Sequence, residues 1–157
     1  MKKTDGNRVE IGWREWIELP DWGLRLKAKM DTGAKSSSLD VEQLEFLPDN
    51  RVRFGIHQLR KTDSIKMVEA ELFSTTKVRS SNGQTQNRIV VKTRIRLAGI
   101  EKEILVNLTN RRKMLHRILL GREALKEDFL IDAGVDHVVT PPKLKKKKLS
   151  GTKAKEI

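Results

Sequence analysis

The sequence has no cysteine and no tyrosine, and aromatic residues fill only 4% of its 157 positions. Without cysteine there is no disulfide framework and no thiolate to ligate a metal, a composition that suits a reducing compartment. Scarce aromatics leave no stacking platform for the bases of a single-stranded nucleic acid. No apolar run approaches the roughly 20 residues of a membrane-spanning helix, and no apolar leader follows Met1-Lys2-Lys3. A soluble, cytoplasmic protein is therefore expected. The three histidines, His57, His116 and His137, stand far apart, so no His-Glu-x-x-His zinc motif is legible and each is expected to be structural. None of the ten glycines opens a phosphate cradle ending in Lys and Ser or Thr. No cofactor and no metal are expected.

What the chain has in abundance is positive charge: 33 Lys and Arg against 21 Asp and Glu, a net of +12. The distribution divides at Pro141-Pro142. Beyond it, Lys143, Lys145, Lys146, Lys147, Lys148, Lys153 and Lys155 face only Glu156, seven charges against one. Such a block holds too little apolar surface to offset its chain entropy. The expected organisation is one domain over residues 1–140 and a disordered lysine-rich tail over 141–157. The tail carries +6 and the domain retains the other +6, so both ask for an acidic partner. Hydrophobic residues at 37% suffice for a single core.

Hydropathy in the body alternates with period two almost throughout, the signature of half-buried strands. Strands are predicted near Val9 to Leu19, Leu24 to Met30, Ser38 to Phe46, Val52 to Ile56, Ile65 to Phe73, Thr76 to Arg79, Arg88 to Leu97, Glu101 to Leu108 and Arg117 to Leu120. Turns are predicted at Pro20-Asp21-Trp22-Gly23, Pro48-Asp49-Asn50, Asn82-Gly83, Ala98-Gly99 and Asn110. Only Arg122 to Asp128 reads as a helix. Trp13, Trp16 and Trp22 are expected to anchor the core or an interface.

Asp31-Thr32-Gly33-Ala34 closes the strand Leu24 to Met30 and sets a carboxylate at its end. Asp-Thr-Gly can be an ordinary turn, in which Asp and Gly only satisfy the backbone. It gains meaning from Ile118-Leu119-Leu120-Gly121-Arg122, an apolar strand ending in Gly and entering the short helical pattern Glu123-Ala124-Leu125-Lys126. Together the two segments resemble the retropepsin pattern, one half of an active site built on two aspartates. Further motifs narrow the resemblance: Ala28 to Leu39 around the acid, Arg79-Ser80-Ser81-Asn82-Gly83, and Leu108-Thr109-Asn110-Arg111-Arg112-Lys113-Met114. In this order, over residues 8 to 138, they resemble the RimB-type peptidases, a family often labelled ATP-dependent zinc proteases. Neither half of that label fits this chain, which lacks both a zinc motif and a nucleotide-binding loop.

The resemblance implies an all-β, retropepsin-like closed barrel or sandwich with one short C-terminal helix, acting as a homodimer. Two copies of Asp31 would share a proton across a two-fold axis and activate a water, since like charges at close range cannot both ionise. Thr32 would bond across the interface and Gly33 would offer its amide to the carboxylate. A second in-chain candidate, Asp132-Ala133-Gly134, lacks the hydroxyl and has no apolar-Gly strand behind it. The flap over the substrate is expected either at Asp49-Asn50 or at Ser80 to Gln86, with the second favoured because Asn-Gly is a strong hairpin turn. Lys35, Arg88, Arg111 and Arg122 lie in or beside the motifs and are expected to hold substrate carboxylates, with Arg122 also suited to bracing the fold. RimK-type ligases add glutamates to the C-terminus of a small-subunit ribosomal protein, and the resemblance implies that this chain trims such tails. The alternative is a catalytically silent module that binds the ribosome or RNA through Lys143, Lys145, Lys146, Lys147 and Lys148.

Overall fold

The computed structural model describes residues 3–4, 6–58, 64–79, 82–110 and 115–141. Its strands are β1 (Lys3–Thr4), β2 (Arg8–Gly12), β3 (Arg14–Leu19), β4 (Leu24–Met30), β5 (Ser37–Asp40), β6 (Glu42–Leu47), β7 (Arg51–His57), β8 (Ile65–Arg79), β9 (Thr85–Leu97), β10 (Ile100–Thr109), β11 (Ile118–Leu120) and β12 (Phe129–Asp132). The single helix, α1, is Arg122–Leu125. Along β4 the pattern does what alternation dictates. Leu24, Leu26, Ala28 and Met30 are buried, while Arg25 and Lys29 are exposed.

Strands β10, β5, β11, β4, β3 and β9 pair in that order, and the β9–β10 hairpin closes the ring. Closure removes the sheet edges that an open barrel would expose. Two joints in the ring are parallel, β5 with β10 and β4 with β11. Ile17, Leu26, Leu39, Val91, Ile95 and Ile118 fill the interior, each at most 2% exposed. Strands β8, β7 and β6 continue the sheet beyond β9. The 15-residue β8 and 13-residue β9 form the longest hairpin, and its turn contains Asn82-Gly83, with Gly83 at a φ of +86° that favours glycine. No helix among the described residues is long and apolar enough to cross a membrane.

Four readings of the sequence need correction. Val9 to Leu19 is two strands in two sheets: β2 joins β1 and β12, and β3 joins the barrel. The break falls at Trp13, whose N–H donates to the Val135 carbonyl at 2.9 Å and whose carbonyl accepts from Met30 at 2.8 Å. Segment 135–137 presses so closely on the corner that a Cβ on Gly12 would lie 2.6 Å from the Val135 oxygen. Ser38 to Phe46 likewise divides at Val41, β5 staying in the barrel while β6 forms the far edge of the extension. The segments Ile65 to Phe73 and Thr76 to Arg79 are one strand, with a register shift between Leu72 and Ser74 absorbing the irregularity. The helix ends at Leu125 rather than Asp128, and β12, parallel to β2, follows it. The lysine-rich segment expected to be disordered lies outside the described residues from 142 onward.

Two polar arrangements hold this frame. Outside the barrel, Arg25, Glu18, Arg96, Glu101, Arg94 and Asp21 form a continuous ladder across β4, β3, β9 and β10, with contacts from 2.7 to 3.4 Å. Hydrogen bonds from Arg25 and then Arg96 hold the Glu18 carboxyl below its usual 4.5. Inside, Glu15 is fully buried. Its carboxylate accepts from the N–H groups of Gly12 at 2.7 Å, Val138 at 2.6 Å, Val139 at 3.2 Å and Thr140 at 3.0 Å, and from the Thr140 hydroxyl at 2.6 Å. Charge-assisted bonds in this number offset the cost of burying the ion.

Because Glu18 is depressed, its stabilisation is complete above the unfolded carboxyl value and is lost as pH falls through the folded one. Glu18→Gln should therefore lower Tm slightly in the neutral range and flatten its fall below about pH 4.5, the two proteins converging in acid; an unaltered acid limb in calorimetry would refute this. Glu15→Ala orphans several buried donors and should cost about 3 kcal/mol in urea unfolding, with faster proteolysis within 135–140. A loss under about 1 kcal/mol would show that the carboxylate is dispensable.

Candidate active site

Asp31 stands where β4 leaves the barrel. The parallel register of β4 and β11 sets Leu120 beside Met30, and the Asp31 N–H donates to the Leu120 carbonyl at 2.8 Å. The chain then turns sharply. Gly33 donates its N–H to Asp31 Oδ1 at 3.1 Å, and Ala34 N–H reaches the Asp31 carbonyl at 3.2 Å. Asp31 is half-buried, and Thr32 and Gly33 are exposed. The carboxylate is thus fixed from behind and open in front.

The support behind it is Gly121. A Cβ there would fall 2.4 Å from the Ser36 carbonyl oxygen and 2.9 Å from that of Ala34, so only glycine fits. Its N–H donates to Ser37 Oγ at 3.0 Å, Arg122 N–H to Ala34 O at 2.8 Å and Glu123 N–H to Lys35 O at 3.0 Å. The orphan amides at the start of α1 are therefore capped by the acid loop itself, since the N-cap residue, Gly121, has no side chain to cap them. Arg122 adds a bond from its guanidinium to the Thr32 carbonyl at 3.1 Å. It braces the loop and does not line the neighbouring cavity.

That cavity, about 610 Å³, opens between the loop, the β8–β9 hairpin, β10 and α1. Lys35 and Ser36 enter from the loop, Phe73 and Thr76 from β8, Arg88 from β9, Leu105 and Asn107 from β10. The fold thus brings Lys35 and Arg88 to one cavity. Arg111 lies outside the described residues. Two acids also line the cavity, Glu103 and Glu123. Glu123 is paired with Lys126 at 3.0 Å, which holds its carboxyl below the usual range.

Sequence reasoning missed the apolar rim. Phe73 and Leu105 are 51% and 42% exposed. Phe73 occupies the register shift between Leu72 and Ser74, an extra residue turned outward by the bulge; only the cross-strand register reveals it. Asp132-Ala133-Gly134 repeats the turn of Asp31, with Gly134 N–H on Asp132 Oδ1 at 2.9 Å and Val135 N–H on the Asp132 carbonyl at 3.3 Å. It lacks the brace: the Val135 carbonyl meets Trp13 where the first loop meets Gly121 and α1. Among the described residues no three of His, Asp and Glu converge as metal ligands would.

An Asp-Thr-Gly turn latched by a Gly-Arg segment inside a closed barrel agrees with the comparison of the whole chain. Residues 10–142 match the RimB-like family, described as retropepsin-like aspartic endopeptidase RimB. The chain belongs to this family. Among curated proteins, this RimB-like chain is similar to one named probable alpha-L-glutamate ligase from Shewanella pealeana, 34% identical over 133 residues, which make up 80% of this chain and 29% of that protein. A second protein of that name, from Desulfotalea psychrophila, is 32% identical over 127 residues, 78% of this chain and 27% of its own length. The RimB-like chain therefore spans less than a third of these relatives. Its structure is similar to the crystal structure of a Legionella pneumophila protein of unknown function, with a TM-score of 0.71 and 30% identity over 83% of this chain and 97% of that one.

Gly121→Ala tests the latch. The added methyl should displace the acid loop, lower stability by about 2 kcal/mol and shift the amide resonances of Asp31 and Gly33. Wild-type stability and an unmoved acid loop in this variant would overturn the role given to the close approach.

Proposed function

We propose that two copies of this chain form one aspartic peptidase site, and that it shortens acidic, glutamate-rich peptide tails. The observation that carries this reading is the Asp31 carboxylate, aligned by Gly33 and braced by Gly121 and Arg122, beside a cavity that contains Lys35 and Arg88. One braced acid per chain is half of a dyad, and two-fold symmetry supplies the other half. One carboxylate then takes a proton from the attacking water while its protonated twin donates to the substrate carbonyl, and the roles reverse as the amine leaves. Thr32, exposed at the turn, would bond its counterpart across the axis.

Lys35 and Arg88 would draw in a polyanionic tail and hold side-chain carboxylates, with Arg111 a further candidate. The hairpin of β8 and β9, which supplies one wall of the cavity, would serve as the flap that excludes water. Relatives named as glutamate ligases contain a homologous stretch. Adding glutamates and removing them would be opposed reactions on the same tail, in line with a RimK-type ligase acting on a cytoplasmic ribosomal protein. The lysines from Lys143 to Lys148 would then bring the enzyme to the ribosome. A silent RNA-binding module would leave the latch behind Asp31 without a purpose.

The test is mass spectrometry of a peptide ending in six glutamates. Wild type should shorten it and Asp31→Asn should not. Mixing the two at constant total protein should make activity fall with the square of the wild-type fraction, as a site shared between subunits requires; a linear fall would sink the shared dyad. Lys35→Ala and Arg88→Ala should each raise KM about tenfold with kcat nearly retained, the expected loss of one charge-assisted bond. Cleavage of a neutral analogue at the same rate would refute acidic selectivity.

A further inference from the structure

We infer that a second site for a carboxylate-bearing peptide lies on the outer wall of the barrel, where β3, β4 and the segment before β11 meet. A cavity of about 310 Å³ opens there, lined by Arg14, Trp16, Lys27, Leu115, His116 and Arg117 among others. The antiparallel register sets Trp16 opposite Lys27 and Arg14 opposite Lys29, on the face directed away from the core. Lys27 Nζ lies 5.1 Å from the centre of the Trp16 ring. The Arg14 guanidinium lies 4.8 Å from that of Trp13.

Two donors at this cleft have no acceptor among the described residues. Trp16 Nε1 and Arg117 Nε are both buried and without a hydrogen-bond partner among the described residues. A buried indole N–H ordinarily finds one, and leaving one unmet costs the desolvation of the group. Burial and then the charge of Arg14 push the Lys27 ammonium below its usual value, so positive charge here is crowded. A ligand that supplies lone pairs and a negative charge meets all of these needs at once.

The chemistry favours a carboxylate on an aliphatic stem over a phosphate backbone. Arg14 is committed to Asp136 at 2.6 Å and Arg117 to Asp40 at 3.3 Å, so this is not the run of uncommitted cations that nucleic acid requires. The Trp16 ring and Leu115 instead give apolar walls to a glutamate stem, and the volume suits one or two such side chains. Lys27 precedes Asp31 by four residues along β4, roughly 13 Å of extended chain. A tail with at least four residues beyond the cleaved bond could therefore engage both sites. The inference extends the acidic-peptide reading and rests on it for the ligand, but its test reads binding rather than cleavage.

The experiment uses the full chain with Asp31→Asn and 15N-labelled tryptophan, titrated with hexaglutamate, hexaglutamine and a uridine hexanucleotide. The Trp16 indole resonance, assigned through Trp16→Phe, should shift downfield with hexaglutamate alone. Trp16→Phe should weaken hexaglutamate binding about fivefold, the equivalent of one hydrogen bond. Lys27→Met, which keeps the indole as reporter, should weaken it similarly, and Lys35→Ala should leave the Trp16 shift in place. An indole that does not move, that moves equally with hexaglutamine, or that answers only to the uridine hexanucleotide overturns the proposal. A moving indole in a protein whose wild type cuts nothing would instead sink the peptidase reading and leave this site standing.

Discussion

The site depends on one close approach of backbone to backbone, Gly121 against the carbonyls of Ala34 and Ser36. The support behind the Asp31 loop runs through it. Strand β11 has only three residues, yet its parallel pairing with β4 delivers Gly121 to the back of the loop. Amides of Gly121, Arg122 and Glu123 then bond Ser37, Ala34 and Lys35 in turn. Helix and loop complete one another's hydrogen bonds, since the four-residue α1 has no side-chain cap and the loop has no sheet partner of its own. Because the backbone carries the restraint, the side chains of Thr32, Lys35 and Ser36 remain exposed.

This also explains which parts were legible in the sequence. Gly121 is a residue type that the local backbone demands, and Asp31 with Gly33 forms a self-bonded turn of familiar composition, so all three stand out as motifs. Strands β4 and β9 are legible because one face is core and the other water, which writes alternation directly into the chain. The division at Trp13 is not written there. Ile11-Gly12-Trp13-Arg14 reads as continuous strand, and the cause of the break is segment 135–137, far off in sequence, packing on Gly12. Strand β12 is short, follows the helix closely, and owes its existence to β2. Phe73 and Leu105 look like ordinary strand residues until the register places them at the rim of the cavity. Lys35 and Arg88 were legible as cations near motifs, but their shared cavity is a product of the fold.

The net charge of +12 overstates what a ligand meets at any one place. Arg25, Arg94 and Arg96 are balanced by Glu18, Asp21 and Glu101 on the barrel wall. Screening over about 10 Å at ordinary ionic strength makes the local surplus decisive. Lys35 and Arg88 are where two cations share one open cavity.

Glu15 gives the domain a property of a different kind. By gathering Gly12, Val138, Val139 and Thr140 around one buried carboxylate, it ties the last described turn of chain to the start of β3. Strain applied at Thr140 would enter the barrel through this knot, at the start of β3. The latch behind Asp31 rests instead on β4, β11 and α1, so strain applied at Thr140 would load β3 and the corner at Gly12 first.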